Sequence, residues 1–248
     1  MNDANTALLE RICQIKGEHP AWGYRRVWAY IRLHDRLQIN HKRVYRLMKM
    51  HGLMVPKQQN LKALRTPSAG KPRTVEPNHI WGTDMTKIRL TGGGWAYLHL
   101  VLDWGSKKIV GHQLSHRSRA EDWLAALDRG LNSQFPDGIR AAPQGLSLVS
   151  DNGCQPTGKT FMAACRALGI QQIFTSYNNP KGNADTERVF RTLKEDLIWV
   201  NEFASYQQLE IELRDWIHRY NHDYPHSSLG YQTPYQYETW FKAATRSA

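Results

Sequence analysis

Over the first 54 residues, apolar side chains recur every three or four positions in three short stretches, which predicts three helices. The first stretch ends at 17–20, and the second begins after Gly23. The third covers about 41–50, where Asn40 is placed to cap the helix and Gly52 to end it. This order is typical of a helix-turn-helix unit, whose third helix enters a DNA groove, although trihelical units also bind proteins. The predicted buried stripes are Leu8, Leu9, Ile12 and Ile15, then Val27, Tyr30 and Ile31, then Val44, Leu47 and Met48.

Residues 55–77 break this pattern. Prolines, lysines and arginines are mixed here without apolar periodicity. A basic stretch interrupted by prolines is typical of an extended linker, and its charge would let it follow a phosphate backbone. We therefore expect a helix-turn-helix domain over 1–54, a linker over 55–77 and a second domain over 78–240.

The second domain shows an α/β pattern. Three consecutive stretches read as antiparallel strands, the first two joined by a Gly-rich hairpin turn at 91–94. Later strands alternate with helices, which predicts a mixed sheet with helices on its faces. The predicted strands are 81–90, 95–103, 108–114, 146–150 and 171–175, and the predicted helices are 119–131, 160–168, 185–200 and 206–220.

The charge of the chain is concentrated at one end. The 248 residues carry a formal net charge of +11. Residues 1–75 contain 15 Lys and Arg against 4 Asp and Glu, whereas the remainder contains 18 of each sign. A basic head on a neutral body is typical of a protein that binds a polyanion, most often nucleic acid; the alternative is a solvated basic surface. The cations on the predicted helices are Arg25, Arg26, Arg32, Lys42, Arg43, Arg46 and Lys49.

Composition excludes several classes of protein. Hydrophobic residues make up 41% of the chain and 9 residues are Trp, which is enough for a sizeable core and argues against disorder. No apolar run approaches the roughly 18 residues that a membrane-spanning helix needs, and residues 1–10 contain no signal region. Cys13, Cys154 and Cys165 are too far apart to suggest a disulfide framework or a zinc site. We therefore expect a soluble protein of a reducing, cytoplasmic compartment.

Three carboxylates lie in or next to predicted elements, and Asp151 emerges at the carboxyl end of a buried strand, where α/β sheets usually place their sites. Asp84 lies in the first strand, Asp151 follows the fourth, and Glu187 lies in the first turns of a long helix. Converging carboxylates can hold Mg²⁺, and a pair of ions can activate the attacking oxygen and stabilise the leaving oxygen of a phosphodiester. Taken singly, each residue has an ordinary alternative as a turn former or a helix-dipole partner.

The helix around Glu187 adds a second observation. Arg191 and Lys194 fall on the same side of the helix as Glu187, so cations follow the carboxylate along one polar stripe. The alternative is an ordinary charged surface stripe. An apolar stripe beside it is predicted to pack on the sheet and consists of Phe190, Leu193, Leu197 and Val200.

These residues, taken with their neighbours, resemble a known family. Asp151 and Glu187 are separated by 35 residues and Lys194 follows, which with Asp84 is similar to the D,D(35)E signature of insertion-sequence transposases and retroviral-type integrases. The surrounding segments WGTDMT, VSDNG, NPKGNA and TLK agree, as does YNHDYPH at 220–226 near the end. In the head, GYRR at 23–26 and RVYRLM at 43–48 resemble that family's helix-turn-helix preface. The likeness covers about 18–240, and the chain most resembles the second-reading-frame product of bacterial insertion sequences.

The resemblance implies a fold, a chemistry and partners. It implies a ribonuclease-H-like α/β core in which Asp84, Asp151 and Glu187 are catalytic and bind two Mg²⁺ or Mn²⁺ ions, with Lys194 contacting the element's end DNA. The implied reactions are hydrolysis that exposes a 3′-hydroxyl at the element end, then attack of that hydroxyl on another phosphodiester. The implied partners are terminal-repeat and target DNA, further copies of the chain and an upstream first-frame protein to which such chains are fused. Cys154 and Pro156 depart from the family pattern beside Asp151.

Two other functions remain open from the sequence: a ribonuclease-H-like nuclease that does not join strands, and a DNA-binding descendant of a transposase that has lost catalysis. Among other residues, Asp103 is predicted to stabilise a turn at a strand end, and Asn183 to cap the helix of Glu187. His222 and His226 are predicted to be solvent-facing loop residues, and Cys154 to have no catalytic role. The loop at 179–182 is expected to be mobile, which would leave Glu187 poorly positioned until metal and DNA bind.

Overall fold

The computed structural model describes residues 3–56, 74–139, 145–175 and 183–246. The chain forms two compact units. One contains residues 1–66 together with 223–233, and the other contains 67–222 together with 234–248. Most of the predicted linker lies in 57–73, outside the described residues, so its extended structure stays a prediction.

The first unit contains the three predicted helices: α1 (Asp3–Glu18), α2 (Tyr24–His34) and α3 (His41–Met50). The Asn40 side chain accepts a hydrogen bond from the backbone N–H of Lys42 at 2.8 Å, so the predicted cap of α3 is present. Gly52 follows α3 with φ of 68°, a conformation that favours glycine at a helix end. The core of this unit is formed by Ile12, Ile15, Trp22, Val27, Ile31, Val44 and Met48.

A segment from near the other end of the chain completes this unit. Tyr224 is buried, and its ring lies 5.2 Å from that of Trp22 in an edge-to-face arrangement. Arg26 lies over the same Tyr224 ring at 4.6 Å, and Tyr231 packs edge-on against Trp28 at 5.7 Å. Residues 223–233, which the sequence places inside a continuous 78–240 domain, therefore pack with the helices of the head.

The second unit is built on a five-stranded mixed sheet of order β3-β2-β1-β4-β5. The first three strands pair antiparallel, whereas β1–β4 and β4–β5 pair parallel. The mixed sheet predicted from the sequence is therefore confirmed. The strands are β1 (Ile80–Arg89), β2 (Trp95–Asp103), β3 (Ile109–Ser115), β4 (Ser147–Ser150) and β5 (Gln171–Phe174).

Helices flank this sheet. One side is covered by α4 and α5, which close a core around Trp81, Val101 and Leu148. No helix within the described ranges is long and apolar enough to cross a membrane. The helices are α4 (Ala120–Gln134), α5 (Lys159–Ala167), α6 (Ala184–Leu193), α7 (Tyr206–His222) and α8 (Pro234–Arg246).

The helix of Glu187 differs from its prediction at its end. It is α-helical only to Leu193 and continues as a π-helical turn over Lys194–Ile198. Phe190, Leu193 and Leu197 are buried as predicted, but Val200 is 58% exposed. The prediction for Val200 was wrong because the wider π turn shifts the register and the helix ends before residue 200. Helix α8 is not among the helices predicted from the sequence.

Candidate active site

Two of the three carboxylates lie on neighbouring parallel strands. Asp84 lies in β1, and Asp151 immediately follows β4. The strands pair with Gly82 opposite Val149, and continuing that register by two residues brings Asp84 opposite Asp151. Because residues opposite each other in parallel strands point to the same face, Asp84 in the middle of β1 and Asp151 just after β4 lie on one face of the sheet.

The charges of Glu187 and Lys194 also act on Asp84. The pKa of Asp84 is raised to about 6, and burial is the largest cause. The negative charges of Asp151 and Glu187 contribute to this rise, whereas the backbone N–H of Met85 and the positive charge of Lys194 oppose it. Four residues singled out from the sequence therefore share one electrostatic environment.

The site is open to solvent on one side. Asp84 is half-buried, while Asp151 and Glu187 are exposed. The Asp151 Oδ1 atom accepts the backbone N–H of Gly153 at 3.1 Å, and the Asp84 Oδ1 atom accepts that of Met85 at 2.7 Å. One oxygen of each aspartate thus accepts a local hydrogen bond, and among the residues that the structure describes the second oxygen accepts none.

The donor set fits a divalent cation by its chemistry, since it consists of carboxylate oxygens whose mutual repulsion a cation would relieve. The geometry is less complete. Over the ranges that the structure describes, no three His, Cys, Asp or Glu side chains are arranged to hold one ion. The loop expected to control Glu187, residues 179–182, lies outside those ranges, so its mobility stays a prediction.

The start of α6 is held differently from the prediction. Asn183 occupies the N-cap position, but its side chain makes no capping hydrogen bond. Its Nδ2 atom instead donates to the backbone carbonyl of Thr83 at 3.2 Å. The capping prediction was therefore wrong, because the buried amide ties α6 to the strand residue that precedes Asp84.

Other predicted site residues are spread over both units. Lys194 is half-buried, and Arg191 forms a 2.8 Å ion pair with Glu195. In the head, Arg43 donates to Asn5 at 2.9 Å and Arg26 lies over Tyr224, so both serve packing. The exposed cations of α2 and α3 are Arg25, Arg32, Lys42, Arg46 and Lys49.

The remaining predictions were correct for Asp103, wrong for His222 and correct in part for His226. Asp103 is buried and accepts hydrogen bonds from the backbone N–H groups of Asn78 at 2.9 Å and Ser106 at 2.8 Å, as expected of a turn residue. His222 belongs to α7 and stacks on His218, and both His222 and His226 are half-buried. His222 is therefore not a loop residue, because helix α7 extends further than predicted. His226 lies in a loop as predicted, but it is half-buried because 223–233 folds onto the head. Cys154 is exposed.

Several residues that hold α6 against the sheet are not predicted from the sequence. Trp104 donates its indole N–H to Thr186 Oγ1 at 3.2 Å, and Lys107 forms a 3.2 Å ion pair with Asp185. A Cβ atom added to Gly82 would clash with both Trp104 and Thr186. A glycine inside a strand is the signal that pointed to this close approach.

Comparison with known protein families matches both units. Two models described as integrase core domain match residues 74–180 and 168–234. A model described as HTH-like domain matches residues 2–60. The two integrase-core matches follow each other along the chain and include all three carboxylates.

Comparison with individual proteins gives the same result. The chain is 28% identical over 243 residues to transposase InsD for insertion element IS2 from Escherichia coli, covering 94% of this chain and 78% of that protein. The HTLV-2 integrase catalytic core domain in complex with magnesium has a similar fold, with TM-score 0.51 and 16% identity over 67% of this chain and 99% of that one. The Mos1 mariner transposase catalytic domain also has TM-score 0.51, with 14% identity over 66% of this chain and 76% of that one.

Proposed function

Since the chain belongs to the integrase-core transposase family, we propose that it cuts DNA strands at the ends of a bacterial insertion element and joins them to target DNA. The observation that carries this proposal is that the charges of Asp151, Glu187 and Lys194 all act on the carboxyl group of Asp84. These groups come from a strand, the end of its parallel neighbour and a helix with the π turn that follows it, and their charges all act on Asp84.

Asp84, Asp151 and Glu187 are proposed to hold Mg²⁺ or Mn²⁺, as two ions. When bound, such a pair supplies an activated attacking oxygen and a stabilised leaving oxygen. The protein's own part is to bring the carboxylates together and to hold the DNA. Lys194 lies close enough to influence Asp84, which suits a contact to a phosphate next to the reacting one.

The head is proposed to bind DNA through α3. Lys42 and Arg46 are exposed on one side of this helix, and the Arg46 guanidinium donates to the Lys42 carbonyl at 3.4 Å. Exposed cations one turn apart suit phosphate contacts beside a groove. Terminal-repeat and target DNA are the proposed partners, and two ends need several copies of the chain. An upstream first-frame protein fused to the chain and a cytoplasmic, nucleoid-associated location complete the proposal.

One observation favours a second candidate, a DNA-binding protein without catalysis. Within the described ranges, no three metal-ligating side chains are arranged around one point. A transposase whose carboxylates come together only when DNA is bound would show the same arrangement in the absence of DNA. The two candidates predict different results in a cleavage experiment.

The experiment is strand cleavage and joining on DNA that carries the element ends, with Mg²⁺ or Mn²⁺, using the chain alone and fused to its upstream protein. Asp151→Asn and Glu187→Gln should abolish metal-dependent cutting and leave DNA binding intact. Glu195→Gln, which changes an acidic residue of the following π turn, is the matched control and should cut normally. Cutting without joined products would indicate a simple nuclease. DNA binding without cutting, even in the fusion, would favour the silent candidate.

A further inference from the structure

The first turn of α6, which carries Glu187, is anchored from the β2–β3 turn. Lys107 lies in this turn, and its ammonium pairs with Asp185 at 3.2 Å, two residues before Glu187. Trp104, three residues earlier, donates its indole N–H to Thr186, directly before Glu187. Both residues preceding the carboxylate are therefore held by one turn.

The ion pair between Lys107 and Asp185 is largely shielded from water. The side chains of Lys107 and Asp185 are each only 18% exposed, so their pairing is screened less than that of a surface pair. The Lys107 ammonium also donates to the backbone carbonyl of Trp104 at 2.5 Å. The same cation thus fixes its own turn and the helix. Asp185 at the helix start also has a favourable position with respect to the helix dipole.

The contact between Trp104 and Thr186 also joins α6 to β1, the strand that contains Asp84. Trp104 and Thr186 meet directly over Gly82, where a Cβ atom would clash with both. Gly82 lies two residues before Asp84 on the same strand and therefore on the same face of the sheet. A shift of α6 at this contact would change the distance between Glu187 and Asp84.

We propose that Lys107 and Trp104 are positioning residues that set the place of Glu187 relative to Asp84. This inference rests on the proposed function. Neither residue is placed to touch DNA in this proposal; both act through Asp185 and Thr186. Lys108, next in the same turn, provides a natural contrast, because its ammonium pairs with Glu238 of α8 at 2.5 Å and not with α6.

The test compares Lys107→Met with Lys108→Met. Each change removes one ammonium from the same turn and keeps most of the side-chain length. Hydrogen exchange of the backbone amides of α6 is measured in the metal-free protein, beginning with that of Glu187. This amide donates a hydrogen bond to the Asn183 carbonyl at 3.0 Å. Lys107→Met should speed exchange at these amides about tenfold, the ratio expected for a lost charged hydrogen bond. Lys108→Met should leave that exchange unchanged while lowering Tm.

Cleavage of element-end DNA provides the second measurement. Lys107→Met should lower the single-turnover rate by roughly ten- to a hundredfold, the scale of a small misplacement at a reacting centre, without weakening DNA binding. A charge swap, Lys107→Asp with Asp185→Lys, should recover part of both the exchange protection and the rate. Trp104→Phe, which keeps the ring and removes the N–H donor, should act in the same direction.

The outcomes separate this inference from the proposed function. Unchanged α6 exchange in Lys107→Met, or an equal loss of rate in Lys108→Met, would overturn the positioning role. Failure of the wild-type fusion to cut DNA would refute the proposed function. The exchange comparison would still decide whether Lys107 anchors α6.

Discussion

The Tyr224 ring packs edge-on against Trp22 with 5.2 Å between centroids, although 201 residues separate the two along the chain. This contact completes the core of the head with a segment that follows α7 along the chain. The compact unit that contains α1 to α3 therefore also includes residues 223–233.

Removing this ring should weaken the head. Tyr224→Ala deletes the contacts with Trp22 and Arg26 and leaves a cavity, which should lower the free energy of unfolding of this unit by about 3–5 kcal/mol. Urea unfolding followed by tryptophan fluorescence measures the change. Tyr235→Ala, at a 48% exposed ring, is the control and should cost less than half as much. Equal losses would contradict a structural role for 223–233.

Gly82 should tolerate no side chain. In Gly82→Ala the new methyl group meets Trp104 and Thr186, so either α6 or the strand must move, and stability should fall by about 1–3 kcal/mol. Thermal unfolding gives the difference. Gly17→Ala, in α1 with open space around the added methyl, should stabilise the protein by about 0.5–1 kcal/mol. If Gly82→Ala left the stability unchanged, the close packing of α6 against β1 at Gly82 would be contradicted.

Glu238 should make stability depend on acid pH. Burial alone would raise the pKa of Glu238, but hydrogen bonds and charges from Lys108 and Lys242 outweigh burial and leave the pKa below its ordinary value of 4.5. Because the folded pKa is lowered, the stabilisation is complete above 4.5 and is lost as pH falls through the lower folded value. Glu238→Gln should cost on the order of 2 kcal/mol at pH 7.

Denaturant unfolding of wild type and Glu238→Gln across pH 3–7 checks this. The difference between the two proteins should shrink below about 4.5. A difference that stays constant with pH would mean that the side chain contributes through shape rather than charge.

The three cysteines should react differently with a thiol reagent. Cys13 and Cys154 are exposed, whereas Cys165 is fully buried, and burial raises its pKa to about 11. Titration of the native protein at pH 8 should label two thiols quickly, with the third labelled only after denaturation. Fast labelling of all three would contradict the packing of α5 on the sheet.

Much of the fold follows from local patterns in the sequence. The five strands, the end of α1, the start of α2 and both ends of α3 are predicted within one or two residues, because apolar spacing, a cap at Asn40 and glycines at turns agree. The position of Asp151 directly after a buried strand also follows from the sequence. Its proximity to Asp84 depends on the parallel pairing of β1 with β4, which local patterns do not show.

The features that were missed depend on contacts between distant residues. The π turn at 194–198, the seat of α6 on Gly82 and the packing of Tyr224 on Trp22 each join segments far apart in sequence or change a local register. Periodicity cannot show them, because it reports which face of an element is buried and not what covers it. Asn183 illustrates this: the residue type predicts a cap, but tertiary packing gives its amide another acceptor.

The most direct test of the central claim changes the ligand chemistry at Asp84. In Asp84→Cys a softer thiolate replaces a carboxylate, which Mn²⁺ accepts better than Mg²⁺. We predict that this variant binds element-end DNA normally, fails to cut it with Mg²⁺ and recovers part of the cutting with Mn²⁺, while Asp84→Ala recovers with neither. Normal cutting by Asp84→Cys in Mg²⁺, or the same loss with both ions, would contradict a role for Asp84 as a metal ligand.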